Sequence, residues 1–374
     1  MKKKRVLLIF NKYQNFGGEE VSFYNELNFL QNKNIVETLE FKNKNGLSVL
    51  WSSFNIISFF KTIYKIFIFR PDIVYINNLW FKASNSPLIA CLFFRKLIIN
   101  IKLHNYRLSC SNAIHYRNGK ICNDCNINNK VKSYQHKCYK DSLILTFLVN
   151  IYSKIQFQIL KSKKINHIYV LNNLQRSILE DFGIKRSKIF EVKNIVNLRK
   201  KSNFVNSNES NKFYFIGRLE EEKGLLDLIS IWKNLRVHKF ELHIIGEGKL
   251  VNFVQLQGEK YENIIFHGNL SNENVLKHLE SSRALIFPTR LYEGQPTIIL
   301  EALACNTPII SPDIPFLNTY LKEDKILTYK LGDSKLLKNV IESYFEDSVY
   351  LNQKILWSKF KDNFFKNYPE FNLH

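Results

Sequence analysis

Two glutamates eight positions apart, Glu293 and Glu301, flank Gly294-Gln295-Pro296-Thr297 and lie at either end of a passage into the apolar run IILEALA. A flexible glycine with a proline near the first helical turn predicts a strand end passing into a helix whose free N–H groups face outward. Such an end is an anion site: the amides at Thr297 and the helix dipole suit a phosphate. Glu301, about one turn further in, is spaced to accept hydrogen bonds from a vicinal diol such as a ribose. It stands among Ile298, Ile299, Leu300, Ala302 and Leu303, where a carboxylate is rarely idle. Glu293, just ahead of the helix, falls nearer the reacting end. The plain alternative is a capping carboxylate followed by a solvent-facing Glu301.

Gly217-Arg218-Leu219 and Glu222-Lys223-Gly224 place two cations five residues apart at a second strand end. A planar fork and a point charge converging on one group suit a diphosphate, although such pairs at turns are commonly surface charges. Nearer the N-terminus, Gly17-Gly18-Glu19 follows the first apolar run and opens a helix. Adjacent glycines permit close backbone approach to a phosphate or sugar, but the dinucleotide pattern G-x-G-x-x-G is missing. His104 ends the run Ile98 to Leu103 and reads either as an ordinary hydrogen-bonded histidine or as a site residue.

These residues need a scaffold, and the chain supplies one twice. Val6 to Phe10, Asp72 to Ile76, Ile98 to Leu103 and Ile168 to Leu171 read as buried strands alternating with helices, with Asn172 placed as a helix cap. After the polar stretch Arg199 to Lys212, a second series follows: strands at Phe213 to Ile216, Glu241 to Ile245, Asn263 to Phe266, Ala284 to Phe287 and Pro308 to Ile310, with helices at Leu225 to Trp232 and Pro296 to Ala304. Strand–helix alternation with apolar strands predicts parallel sheets covered on both faces, in two doubly wound α/β domains facing across a cleft. The expected division is an N-terminal domain over 1–198 with a Cys-containing insertion at about 106–140, a linker over 199–212, a C-terminal domain over 213–350, and a helical segment over 351–374 that could cross back.

This arrangement resembles the retaining glycosyltransferases of family 4, which have the GT-B fold of two Rossmann-like domains. The residues that carry the resemblance are the pair Glu293 and Glu301 within YEGQPTIILEALA, the run GRLEEEKG with Arg218 and Lys223, and the loop NFGGEE, together with PDIVYINNLW and LHNYRLSC. The resemblance implies a nucleoside diphosphate sugar held on the C-terminal domain. Arg218 and Lys223 would lie on its diphosphate, Glu301 on the ribose, Glu293 and His104 by the donor sugar, and Gly17-Gly18 toward the donor phosphate and acceptor. It also implies transfer to a saccharide or lipid-linked saccharide with retention, without a catalytic metal or other cofactor, as in bacterial capsule, O-antigen or exopolysaccharide assembly. Three departures stand out: Asn77 where relatives commonly have His, Asn172 where they commonly have Ser, and Asn197 where Asp is frequent. A GT-B nucleotide-sugar epimerase is the alternative within the fold.

Cys110, Cys122, Cys125 and Cys138 form C-x11-C-x2-C-x12-C in a polar, glycine-bearing segment. That spacing fits a structural zinc site, with His115 and His136 as alternative ligands; free thiols and disulfides are the other two readings.

The 374 residues carry a formal net charge of +21, unevenly spread. Residues 1–200 hold 33 Lys/Arg against 11 Asp/Glu, or +22, and residues 201–374 hold 21 against 22, or −1. A basic half calls for an anionic partner, whether a phosphorylated substrate, an anionic membrane surface or nucleic acid, unless it reflects coding bias toward Lys, Asn and Ile. No basic reading helix or aromatic–basic platform supports nucleic acid, which leaves a non-enzymatic nucleic-acid binder as the alternative of a different class. Lys61, Lys65 and Arg70, interleaved with Phe59, Phe60, Ile63, Tyr64, Ile66 and Phe67, suit a bilayer headgroup zone, or else a core helix whose lysines face water. The opening MKKKRVLLIF reads as a first strand, not an export signal, and lysines interrupt Ile56 to Phe69 and Leu143 to Leu160. The expected location is cytoplasmic, peripheral at the inner face of the plasma membrane.

Overall fold

A computed structural model of the chain describes residues 3–12, 17–43, 53–195, 210–235, 239–318 and 326–366. It divides into two compact units, one within Met1–His115 and Cys122–Ile195, the other within Tyr116–Ile121 and Val196–Glu370. Asn197 and residues 199–209 of the expected linker lie outside the described residues, as do 367–374.

The first unit runs β1 (Arg5–Lys12), α1 (Gly18–Lys33), β2 (Ile35–Lys42), α2 (Ile56–Phe69), β3 (Ile73–Ile76), α3 (Ser86–Cys91) and β4 (Ile98–Lys102). The short antiparallel pair β5 (Tyr116–Arg117) and β6 (Lys120–Ile121), which groups with the second unit, is followed by α4 (Val131–Gln135), α5 (Leu143–Lys161), β7 (His167–Val170), α6 (Asn173–Asp181) and β8 (Ile189–Glu191). Its sheet is parallel throughout, in the order β2-β1-β3-β4-β7-β8. Alternation along β1 sends Leu7 and Ile9 to one core and Val6, Leu8 and Phe10 to the other, so helices cover both faces. Each such side chain contributes roughly 1.5–3 kcal/mol against about 1 kcal/mol for a typical cap, so burial places the strands and caps trim the helices. Asn172 is such a cap, its side chain accepting from the Gln175 amide at 2.9 Å. The same alternation turns Lys102 inward, where Glu26, Ser22 and Asn194 surround its ammonium.

Two helices depart from a simple reading of their apolarity. In α2 the buried positions are Ser58, Thr62, Ile66 and Phe69, and most of its apolar side chains point outward, so it is not a core helix with only its lysines in water. At 19 residues α5 is long and apolar enough, by length and composition alone, to cross a membrane. One face of it nevertheless packs inside the unit, with Asn150 bonded to Ser111 and Ser133, and Ser153 to the Arg107 carbonyl.

The second unit runs β9 (Lys212–Ile216), α7 (Leu225–Lys233), β10 (Glu241–Ile245), α8 (Val251–Lys260), β11 (Ile264–Phe266), α9 (Asn272–Glu280), β12 (Ala284–Ile286), α10 (Thr297–Ala304), β13 (Ile309–Pro312), α11 (Pro315–Asn318), β14 (Thr328–Tyr329), α12 (Ser334–Ser343) and α13 (Asp347–Lys366). Its sheet is also parallel, in the order β11-β10-β9-β12-β13-β14. Phe213 and Phe215 face one core, Tyr214 and Ile216 the other. The C-terminal helix starts at Asp347, four residues ahead of expectation, and Trp357, Phe360 and Phe364 pack with Ile299 of α10 in this unit's core.

In each sheet the strand order reverses beside its first strand: between β1 and β3 in the first unit, between β9 and β12 in the second. Ligands of open α/β sheets bind outside the carboxyl ends of the strands at this switch point. Gly17 and Asn77 follow β1 and β3; Arg218, Lys223 and Glu293 follow β9 and β12. The fold is thus two Rossmann-like units, with chemistry-bearing residues at both switch points.

Candidate functional site

In the second unit, two loops that the sequence keeps 70 residues apart are stitched together. Gly224 has φ +75°, and a Cβ there would lie 1.8 Å from the Pro288 carbonyl oxygen, so only glycine lets the loop after β9 lie against the loop after β12. The Arg290 amide donates to the Glu222 carbonyl at 3.0 Å. Arg290 also grips Asp227 of α7, which accepts from Ser334 of α12 as well, fixing the second loop to two helices.

The stitching sets Lys223 Nζ 2.7 Å from Glu293 Oε1, which also accepts from Thr289 Oγ1 at 2.8 Å. Both side chains of the ion pair are largely buried. Arg218 is exposed, with Glu222 at 3.8 Å as its carboxylate neighbour. Each of the two cations thus has its own carboxylate neighbour. Immediately beyond Glu293 come Gly294 and the buried Gln295. Pro296 is the N-cap of α10 and Thr297 its first residue; no side chain caps this end and no acidic residue stands in its first turn. A helix end so built keeps its dipole uncompensated and favours an anion.

Glu301, on the second turn of α10, accepts from Asn272 Nδ2 at 2.9 Å. Burial raises its pKa above the usual carboxylate value, and the Asn272 hydrogen bond offsets part of this. Asn272, Thr289, Asp227 and Arg290 were not singled out in the sequence. Their polar type alone distinguishes none of them, and only the loop packing makes them relevant.

In the first unit, Gly17 caps α1 in extended conformation, and its amide donates to Glu20 Oε2 at 2.7 Å. Gly18 begins the helix, and among the described residues a Cβ on Gly17 would meet only Glu20, at 4.0 Å. Glu19 accepts from Asn105 Nδ2 at 3.2 Å, and the neighbouring His104 lies with Nε2 2.8 Å from Asn77 Oδ1. An amide oxygen only accepts, so this pairing makes Nε2 the protonated nitrogen of His104. Burial holds the His104 pKa well below the usual value, with the Lys102 charge acting in the same direction, so the ring is neutral. The helix start of α1 and the ends of β3 and β4 thus form one polar cluster, and Asn77, a departure from the family pattern, belongs to it.

None of the six cysteines is in a disulfide. Among the described residues no group of three or more His, Cys, Asp or Glu is arranged to hold a metal ion. Hydrogen bonds tie the segment holding Cys110, Cys122, Cys125 and Cys138: His115 bonds Ser109 and the Cys122 carbonyl, and Lys130 bonds the Arg107 carbonyl. His136 closes α4 through its backbone.

Residues 197–359 match the family model described as Glycosyl transferases group 1. The matched residues fall within the second unit. Among curated proteins, the chain is 27% identical over 213 residues to the uncharacterized glycosyltransferase MJ1059 of Methanocaldococcus jannaschii, covering 50% of this chain and 46% of that protein. It is 24% identical over 136 residues to TuaC of Bacillus subtilis, whose name assigns it provisionally to teichuronic acid biosynthesis as a glycosyltransferase; 36% of this chain and 33% of TuaC are covered. These matches span less than half of either relative's length. Among solved structures, Anabaena HepE in complex with UDP and glucose superposes with a TM-score of 0.67 at 12% identity, covering 98% of this chain and 95% of HepE. At that identity the likeness concerns fold, and the fold is GT-B.

Proposed function

We propose that the chain is a glycosyltransferase that moves a hexose-type sugar from a nucleoside diphosphate sugar to an acceptor hydroxyl with retention at the anomeric carbon. The observation that carries this reading is the Lys223–Glu293 pair, set ahead of the uncapped start of α10 with Glu301 one turn in. The donor diphosphate would lie at the α10 amides with Lys223 and Arg218 beside it, and the ribose hydroxyls would donate to Glu301. In the step itself, the bond between the anomeric carbon and the diphosphate oxygen breaks, and a bond to the acceptor oxygen forms on the same face. The acceptor proton passes to the departing phosphate oxygen, so no protein nucleophile is required. The two cations and the helix end offset the charge that accumulates on the diphosphate, which favours a reaction that proceeds in the presence of a chelator. Burial keeps His104 neutral and Asn77 fixes its ring, suited to hydrogen bonding with a sugar hydroxyl more than to proton abstraction.

The family match, the UDP and glucose bound to HepE, and the pathway in TuaC's name support a nucleotide-sugar donor and a surface-polysaccharide acceptor. The test is a thermal-shift panel of UDP-, GDP- and dTDP-sugars, where a ligand at 100 times its Kd adds about 2.7 kcal/mol. Assay of the stabilising donor with and without saccharide or lipid-linked acceptors follows, with the anomeric configuration of the product read by NMR. Inverted product, or a donor sugar isomerised without acceptor as an epimerase would do, would replace this reading.

A further inference from the structure

We propose that the outward face of α2 is a docking surface for an anionic lipid bilayer. An amphipathic helix ordinarily turns its apolar stripe inward; α2 does the reverse. Its inward stripe is Ser58, Thr62, Ile66 and Phe69, and the two hydroxyls are satisfied there, Ser58 by the Lys82 carbonyl at 3.3 Å and Thr62 by the Ser58 carbonyl at 2.7 Å. The helix start is fixed by Asn55, which accepts from the Ile57 and Ser58 amides. This orientation leaves Ile57, Phe60, Tyr64, Phe67 and Ile68 outside, exposed by 64, 60, 68, 70 and 58%. The patch continues sideways through Phe59 to Phe54 and Phe93, each with ring centroids 5.8 Å from Phe59. An apolar patch so assembled on one face of a domain marks an interaction surface.

Charge identifies the occupant. Residues 53–96, which span α2 and Phe93, contain six Lys/Arg and a single acidic residue, Asp72. Lys61 on α2, Arg70 at its C-cap, and Arg95 and Lys96 just beyond Phe93 are exposed beside the aromatic side chains, while Lys65 pairs with Glu37. Protruding aromatic and aliphatic groups interleaved with exposed cations are what a headgroup layer over hydrocarbon accepts: the rings enter the acyl boundary and the cations meet lipid phosphates. A second copy of the chain is a poorer occupant, because a two-fold contact would set Lys61 and Arg70 against their own counterparts with no acidic residue on α2 to answer them.

The test is co-sedimentation of the full chain with vesicles of phosphatidylglycerol or of phosphatidylcholine, at low and high salt. The parent should partition onto phosphatidylglycerol, release as salt rises, and ignore phosphatidylcholine. Phe60→Ser/Phe67→Ser and Lys61→Glu/Arg70→Glu should each weaken partition by roughly tenfold or more. Since all four side chains are exposed, an unchanged melting temperature certifies the fold of each variant. Three results would overturn the proposal: no binding of the parent to phosphatidylglycerol at low salt, equal binding to phosphatidylcholine, or parental partition by Phe60→Ser/Phe67→Ser. A parent dimer in sedimentation velocity that this variant converts to monomer would reassign the face to self-association. None of these readouts involves sugar transfer, so they stand apart from the proposed activity.

Discussion

Lys223 Nζ lies 2.7 Å from Glu293 Oε1 although 70 residues separate them, because Gly224 lets one loop rest against the Pro288 carbonyl of the other. The pair links the cation assigned to the donor diphosphate with the carboxylate assigned to the donor sugar, so neither can be altered without leaving a largely buried charge unmatched. A double-mutant cycle with Lys223→Ala and Glu293→Gln, followed by urea unfolding, should show a coupling of roughly 0.5–3 kcal/mol. Lys223→Ala should also weaken nucleotide-sugar binding, since losing one partner of a charged hydrogen bond costs about 1.5–3 kcal/mol. Additive single effects together with parental donor binding would remove both assignments.

Glu301 should trade stability for binding. Its folded pKa is raised by burial, so the folded state holds the Glu301 proton more tightly than the unfolded chain does. Its contribution is then favourable below the unfolded value near 4.5 and is lost as pH rises through the folded pKa. At pH 7 the ionised carboxylate is a burial cost that Glu301→Gln removes. The variant should therefore melt higher than the parent at pH 7 and at nearly the same temperature at pH 4.5, while its donor affinity falls by roughly tenfold or more. Unchanged donor affinity would detach Glu301 from the ribose.

Gly224→Ala is expected to be costly in a way that a surface loop substitution ordinarily is not. The residue combines φ +75° with a carbonyl 1.8 Å from the new Cβ, so the backbone must move. A loss of about 1–3 kcal/mol should appear in unfolding, accompanied by weaker donor binding as Lys223 leaves Glu293. Gly217→Ala provides the comparison, because its Cβ meets nothing within 4 Å even though its φ is +154°.

Thiol titration discriminates the readings of the cysteines. Denatured protein should yield six titratable thiols. In the native protein, Cys91 should be the slowest, since burial drives its pKa far up and removes the thiolate, while the other five are only half-buried. One equivalent of zinc by elemental analysis, released as Cys110, Cys122, Cys125 and Cys138 react, would establish a structural zinc in that segment.

Much of the scaffold is legible from residue type. Val6 to Phe10 and Phe213 to Ile216 lie within central strands buried on both faces, and such strands show as uninterrupted apolar runs. The edge strand β2, IVETLEFK, mixes Glu37 and Glu40 among its apolar residues and was not anticipated, nor were the two- and three-residue strands β14 and β8. At the site, the helix start at Pro296 and the place of Glu301 are local and could be read. The partners of Glu293 and Glu301 could not, because Lys223 and Asn272 reach them through packing that spacing does not encode. In α2 the apolar residues were visible, but which stripe faces inward depends on the Lys82 carbonyl that receives Ser58.

Each hydrophobic cluster among the described residues is drawn from a single unit, with Leu7, Val74 and Ile99 in one and Phe213, Leu242 and Ile286 in another. Cooperative unfolding follows shared cores, so calorimetry should resolve two transitions where one melting temperature would conceal them. Only the transition belonging to the second unit should climb with nucleotide-sugar concentration, and the gap between the two peaks would then serve as an internal gauge of donor affinity that needs neither acceptor nor turnover.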